Sequence, residues 1–212
     1  MEQATRKFYD KRGQTLVKHL QKRHFEAYYC PTKEAALERA LALIPEGSSV
    51  GWGGAIGAGQ VGVQQAVKNG NYTVYDRDEC TDPADRAAMM RKCLDADFFV
   101  TGANALSLDG QMVNIDGMGN RVAAMIYGPK YVLVVAGMNK VCDTIEDAVK
   151  RARTIAAPQN AQRFGLSTPC DKTGSCDDCI SEDCICNQIV ITRHCRPAGR
   201  IKFIIVGEEL GF

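Results

Sequence analysis

Net charge is nearly absent from this chain. Twenty-six Lys and Arg oppose 25 Asp and Glu across 212 residues, leaving a formal charge of +1. No global field therefore draws it to nucleic acid or to an anionic membrane surface. Long apolar runs are missing too: none approaches the ~18 residues of a membrane span. The opening "MEQATRKFYDKRGQTLVKHLQKR" lacks the continuous apolar core of a secretory signal, so a cytoplasmic location is expected. Its Lys and Arg read as a solvated helix face. Histidine is scarce. His19 and His24 stand five apart, not the four that pairs metal ligands on a helix, and His194 stands alone before Cys195. No Ser-His-Asp or Cys-His spacing suggests a nucleophilic triad.

Cysteine, by contrast, is abundant, with ten in the chain. Reducing cytosol argues against a disulfide framework. Five cysteines fall within "TPCDKTGSCDDCISEDCICN", residues 168–187, as Cys170, Cys176, Cys179, Cys184 and Cys186. Five acids and few apolar residues leave this segment little of its own to hold a fold. Cys176 and Cys179 are separated by two residues, a gap that lets one loop offer two thiolates to one ion. Either Cys184 or Cys186 could add a further thiolate, and bound metal would supply folding free energy. The spacing is not that of regular ferredoxins. A thiol–disulfide switch between Cys176 and Cys179, or a loop of plain reduced thiols, are the alternatives. Cys30, Cys80, Cys93, Cys142 and Cys195 are scattered, and Cys93 suits a buried small apolar position.

Strand-like and helix-like runs alternate along the chain. Residues 1–45 read as two leading helices, the first broken near Gly13 and the second capped by Thr32. "SSVGW", "YTVYD", "DFFVTG" and "KYVLVVAG" read as strands, with Asp82-Pro83 opening one intervening helix and Thr144 capping another, "IEDAVKRARTIAA". Asp109-Gly110 marks a hairpin turn. "QIVITRH" and "GRIKFIIVGEELGF" are β-rich. The pattern predicts one α/β domain over residues 1–212, with a mostly parallel sheet, helices on both faces and the cysteine segment as an insertion near the C-terminus.

Two segments offer ligand chemistry. In "GWGGAIGAGQVG", residues 51–62, a strand, a glycine turn and a helix start present backbone N–H groups to an anion. Gly57, Gly59 and Gly62 also fit G-x-G-x-x-G, with Asp76 at the end of the next strand, the pattern of a nicotinamide-dependent enzyme. Gly53 to Ile56 nonetheless separate the strand from that match. In "TGANALSLDGQMVNIDGMGNRVAAMIYGP", residues 101–129, polar groups gather after a central strand, where open α/β sheets bind ligands. Asn104, Asp116, Asn120 and Arg121 are the candidate pocket residues. Arg121 and Lys140 could offset the charge of a carboxylate or phosphate.

"SSVGWGGAIG", "TGANALSLDGQMVNIDGMGNRVAA", "GPKYVLVVAGMNK", the cysteine segment and "GRIKFIIVGEELGF" together resemble the LUD-domain family, named for lactate utilisation. The resemblance runs from about residue 5 to the C-terminus. It implies a fold like that of the sugar-phosphate isomerase and CoA-transferase superfamily. It also implies a part in 2-hydroxy acid oxidation alongside iron–sulfur redox proteins. The ligand would be a small anion, held by Gly51, Gly53, Gly54, Gly57, Asn104, Asp116, Gly117, Gly119, Asn120, Arg121 and Lys140. The cysteines matching the family motif are Cys170, Cys176, Cys179 and Cys186, a set for an iron–sulfur cluster or zinc, with Cys184 left as an extra thiol. No organic cofactor is implied, and homo-oligomer formation stays open. "GANALSLDGQMVN" also resembles the methylthioribose-phosphate isomerase branch, in which an aspartate is catalytic where this chain has Asn104. An amide cannot act as general base near neutral pH, so isomerase chemistry does not carry over, and Asp116 is the replacement candidate. A non-catalytic, redox-linked assembly module is the competing reading.

Overall fold

The computed structural model describes residues 2–212. Among these residues ten strands are formed: β1 Glu26–Cys30, β2 Ser49–Trp52, β3 Thr73–Tyr75, β4 Phe98–Thr101, β5 Ala105–Ser107, β6 Met112–Asp116, β7 Tyr131–Gly137, β8 Val141–Cys142, β9 Gln188–Thr192 and β10 Ile201–Val206. The helices are α1 Gln3–Lys22, α2 Lys33–Leu43, α3 Ile56–Val61, α4 Val63–Asn69, α5 Pro83–Lys92, α6 Asn120–Ile126, α7 Ile145–Arg151, α8 Ala157–Phe164 and α9 Pro169–Thr173.

Six strands build one sheet in the order β1-β10-β7-β4-β2-β3, with every pairing parallel. Alternation of side chains sorts its two faces. Leu133, Val135, Ile204 and Val206 pack with Ala36, Ala40, Val63 and Val67 of α2 and α4. Val132, Val134, Phe203 and Ile205 point the other way, onto Leu16 and Leu20 of α1 and Met125 of α6. Burial on both faces explains why β7 and β10 are near-continuous apolar runs. Thr32, Asp82 and Thr144 each accept helix-end N–H groups as caps, as their positions in the sequence predict.

Residues 1–45 depart from the expected pair of helices, because β1 stands between them. Its Ala27 and Cys30 are buried while it pairs with β10. Nor does Gly13 break α1. A side chain there would collide with the Tyr29 ring at 2.4 Å, so this glycine serves close packing of α1 on β1.

A second sheet, β8-β5-β6-β9, gathers the Asp109-Gly110 hairpin and the β-rich run "QIVITRH", which the sequence marks separately without showing that they pair. Leu106 and Met112 bury one of its faces against the main sheet's core. Ala105, Val113 and Ile115 bury the other against Ala148, Ala152 and Ala157. The helix expected to end near Ala157 instead continues to Phe164. A π-helical turn, Ala152–Ala156, joins α7 to α8, so Pro158 falls where the α-helical ladder is already interrupted.

Candidate functional site

A cavity of about 270 Å³ opens at the carboxyl ends of the parallel strands. Strand order reverses between β2 and β4, since β2 leads outward to β3 while β4 leads across to β7. A crevice at such a switch point is where open α/β sheets bind ligands. Each wall follows a strand end: Gly54 and Gly57 after β2, Arg77 after β3, Ala103 and Asn104 after β4, Lys140 after β7. Thr101 Oγ1 ties β4 to the glycine loop by donating to the Gly53 carbonyl at 2.7 Å.

Charge in this cavity is one-sided. Arg77, Arg86, Arg121, Lys140 and Arg163 line it, against Asp116 as the carboxylate. Arg121 is 8% exposed and Lys140 6%. Among the described residues, neither forms an ion pair. Arg121 Nη2 donates instead to neutral acceptors, the Asn104 amide oxygen at 2.8 Å and the Ile115 carbonyl at 2.6 Å. Its Nε and Nη1 have no acceptor among the described residues, and they face Gly54. A Cβ at Gly54 would lie 3.1 Å from Nη1, and Gly54 itself sits at φ +59. Lys140 Nζ donates to the Ala103 carbonyl at 2.9 Å. Burial, with the nearby Arg151 and Arg121 charges, pushes the Lys140 ammonium down to about 7. Burial likewise lowers Arg121. Arg77 adds a buried Nε with no hydrogen-bond partner among the described residues, 3.9 Å from an Asp78 carboxylate oxygen, and its Nη1 reaches the Met90 thioether.

Asp116 lines the cavity but uses Oδ2 to accept the N–H groups of Arg121 and Val122, fixing the start of α6. Gly117 and Asn120 also line it. Gly51, Gly53 and Gly119 do not. Gly51 lies within β2, where a side chain would strike Cys93 Sγ at 2.6 Å. Gly119 precedes α6, beside Gln188. Arg77, Arg86, Asn160 and Arg163 escaped sequence reading, because they arrive from distant elements without any local motif. α8, entered through the π turn, supplies the last two.

The dinucleotide pattern does not take the expected form. Gly57 and Gly59 lie inside α3, and Gly62 is its left-handed C-cap, so the glycines do not form the strand-to-helix turn. Asp76 holds Trp52 Nε1 at 3.2 Å and pairs with Lys68 at 2.5 Å rather than facing the cavity.

All five clustered cysteines line a second cavity of about 60 Å³. Burial and the neighbouring Cys184 and Cys176 thiols push Cys186 up to about 12. A Ser181 hydrogen bond lowers Cys179. As a donor set, converging thiols suit zinc or iron–sulfur binding. Among the described residues, no three of His, Cys, Asp or Glu already stand at metal-holding positions. Ile185 and Ala157 are common to both cavities. The loop docks on the strand that carries Asp116: Asn187 donates to the Gly117 carbonyl at 3.1 Å, and Ile185 covers Gly117.

No helix among the described residues is long and apolar enough to cross a membrane. No curated protein sequence matches the chain. A DUF162 family protein from Deinococcus radiodurans overlays at TM-score 0.50 and 12% identity, covering 93% of this chain and 97% of that one. That likeness is one of fold. eIF2B beta from Chaetomium thermophilum overlaps more loosely, at TM-score 0.36 and 13% identity, over 54% of this chain and 44% of that one. The family model described as LUD domain matches residues 13–206, spanning the parallel sheet, the cationic cavity and the cysteine loop, and the chain belongs to that family.

Proposed function

We propose that this protein binds a small carboxylate or phosphate anion as a cytoplasmic component of lactate or related 2-hydroxy acid utilisation. The observation that carries the reading is the pair of buried cations, Arg121 and Lys140, in one cavity, neither with an ion-pair partner among the described residues. An unpaired buried charge is unfavourable, and an anionic ligand relieves it. Asn104 matters here because an aspartate at that place would already neutralise Arg121. Membership of the LUD family supports the metabolic assignment, and electrons would pass to iron–sulfur partner proteins.

Cys170, Cys176, Cys179 and Cys186 would hold a metal or cluster in the second cavity, with Cys184 beside them. A cluster would supply one-electron transfer there, whereas zinc would supply folding free energy.

Calorimetric titration with lactate, pyruvate and inorganic phosphate tests the reading. The parent protein should bind at least one of them. Arg121→Ala should weaken binding about 10- to 150-fold, the value of a charge-assisted hydrogen-bonded contact at about 1.5–3 kcal/mol. Equal binding by parent and variant, or none by the parent, would contradict it.

A further inference from the structure

Among the cavity's cations, Lys140 differs in kind from the guanidiniums. Arginine stays protonated in proteins, whereas a buried lysine can lose its proton and become a nucleophile. Lys140 stands in the short turn after β7, and its Nζ reaches back to the end of β4, donating to the Ala103 carbonyl. A backbone carbonyl can accept from an ammonium or from a neutral amine, and it carries no full negative charge to hold the proton in place as a carboxylate would. Space is left beside the nitrogen by two glycines. Side chains at Gly102 and Gly211 would begin 4.0 and 3.4 Å from Nζ. The charged groups facing it are Arg121 from α6 and Arg151 from α7, both positive, and both disfavour the ammonium. The same two features, burial and uncompensated positive charge, activate lysines in carbonyl chemistry.

Resting on the anion-binding reading above, we propose that Lys140 is the reacting amine of this site. It adds to the carbonyl of a 2-oxo carboxylate whose carboxylate group sits on Arg121. The Nζ lone pair forms a C–N bond to C2. The C2–O bond then breaks, and oxygen leaves as water carrying one amine hydrogen and one proton from solvent. The product is a protonated imine. No oxidant or reductant is consumed. The substrate class is thereby narrowed to 2-oxo acids, the oxidised partners of 2-hydroxy acids. An ammonium near 7 leaves about half the chains with a free amine at neutral pH, against well under 1% for an ordinary lysine.

The test uses the full chain, with pyruvate as the carbonyl probe and cyanoborohydride to reduce any imine to a stable secondary amine. Intact mass and peptide mapping read the product. One adduct per chain is expected at Lys140, forming at least about tenfold faster at pH 7 than on exposed Lys130. It should be lost in Lys140→Arg and slowed by excess lactate, which offers the same carboxylate without a carbonyl. Labelling of Lys140 no faster than Lys130, while calorimetry shows pyruvate bound, would overturn the imine and leave the anion site standing. Absence of any heat with pyruvate, lactate or inorganic phosphate would overturn both.

Discussion

Arg121 donates to the side-chain oxygen of Asn104 at 2.8 Å, so a buried guanidinium is oriented by a group that carries no charge. Geometry is fixed without an ion pair, and the Asp116 charge in the same cavity opposes the effect of burial on Arg121. The same Asn104 oxygen accepts the Ile115 N–H at 2.9 Å, tying the arrangement to β6, while Arg151 donates to the Asn104 carbonyl at 2.6 Å. The cavity thus keeps its positive character for whatever enters it.

Gly54→Ala should damage the site and the fold together. A φ of +59 costs a non-glycine residue about 1–2 kcal/mol. The added Cβ would lie 2.8 Å from Arg121 Cδ and close over the free guanidinium edge. Denaturant unfolding should show that loss, and calorimetry a weaker anion affinity. Unchanged values in both would remove Gly54 from the site.

Stability should depend on Lys140 in a defined pH window. The folded-state ammonium sits near 7 against an ordinary 10.5, so between these values the unfolded chain binds the extra proton. Stability from this group therefore rises with pH across the window, by about 1.4 kcal/mol per unit at most, and is flat below it. Cys30, Cys93 and Cys142, whose thiols burial raises, titrate in the opposite sense. The difference between parent and Lys140→Met unfolding curves isolates the lysine. A difference independent of pH from 7 to 10 would contradict the shift.

Much of this was readable from the residues, for reasons that also mark what was not. β7 and β10 announce themselves because burial on both faces demands continuous apolar runs. Asn104, Asp116 and Arg121 were legible because polar groups crowd one short segment after a strand. Arg77 and Arg163 gave no such signal: each is an ordinary surface arginine until tertiary packing turns it toward the cavity. β1 was hidden by its short length between two helices, and its strand character comes from pairing with β10, more than 170 positions away. The glycines suggested a dinucleotide turn because the match counts spacing alone, whereas α3 begins early enough to enclose two of them.

The cysteine loop makes its own prediction. Protein purified without air should carry zinc, or iron with acid-labile sulfide, and Cys176→Ser should lose it. Cys80→Ser should not, because Cys80 lies outside the thiol cavity. Metal-free parent protein, or metal retained by Cys176→Ser, would contradict the assignment.

The most direct test of the central claim places a charge where this chain has an amide. Asn104→Asp preserves shape and both hydrogen bonds to Arg121 and Ile115, yet neutralises the guanidinium from within. Titrated with lactate and pyruvate beside the parent, it should bind at least about tenfold more weakly, a difference of about 1.4 kcal/mol, without a lower melting temperature. Affinity equal to the parent's would show that the uncompensated charge of Arg121 is not what the ligand meets.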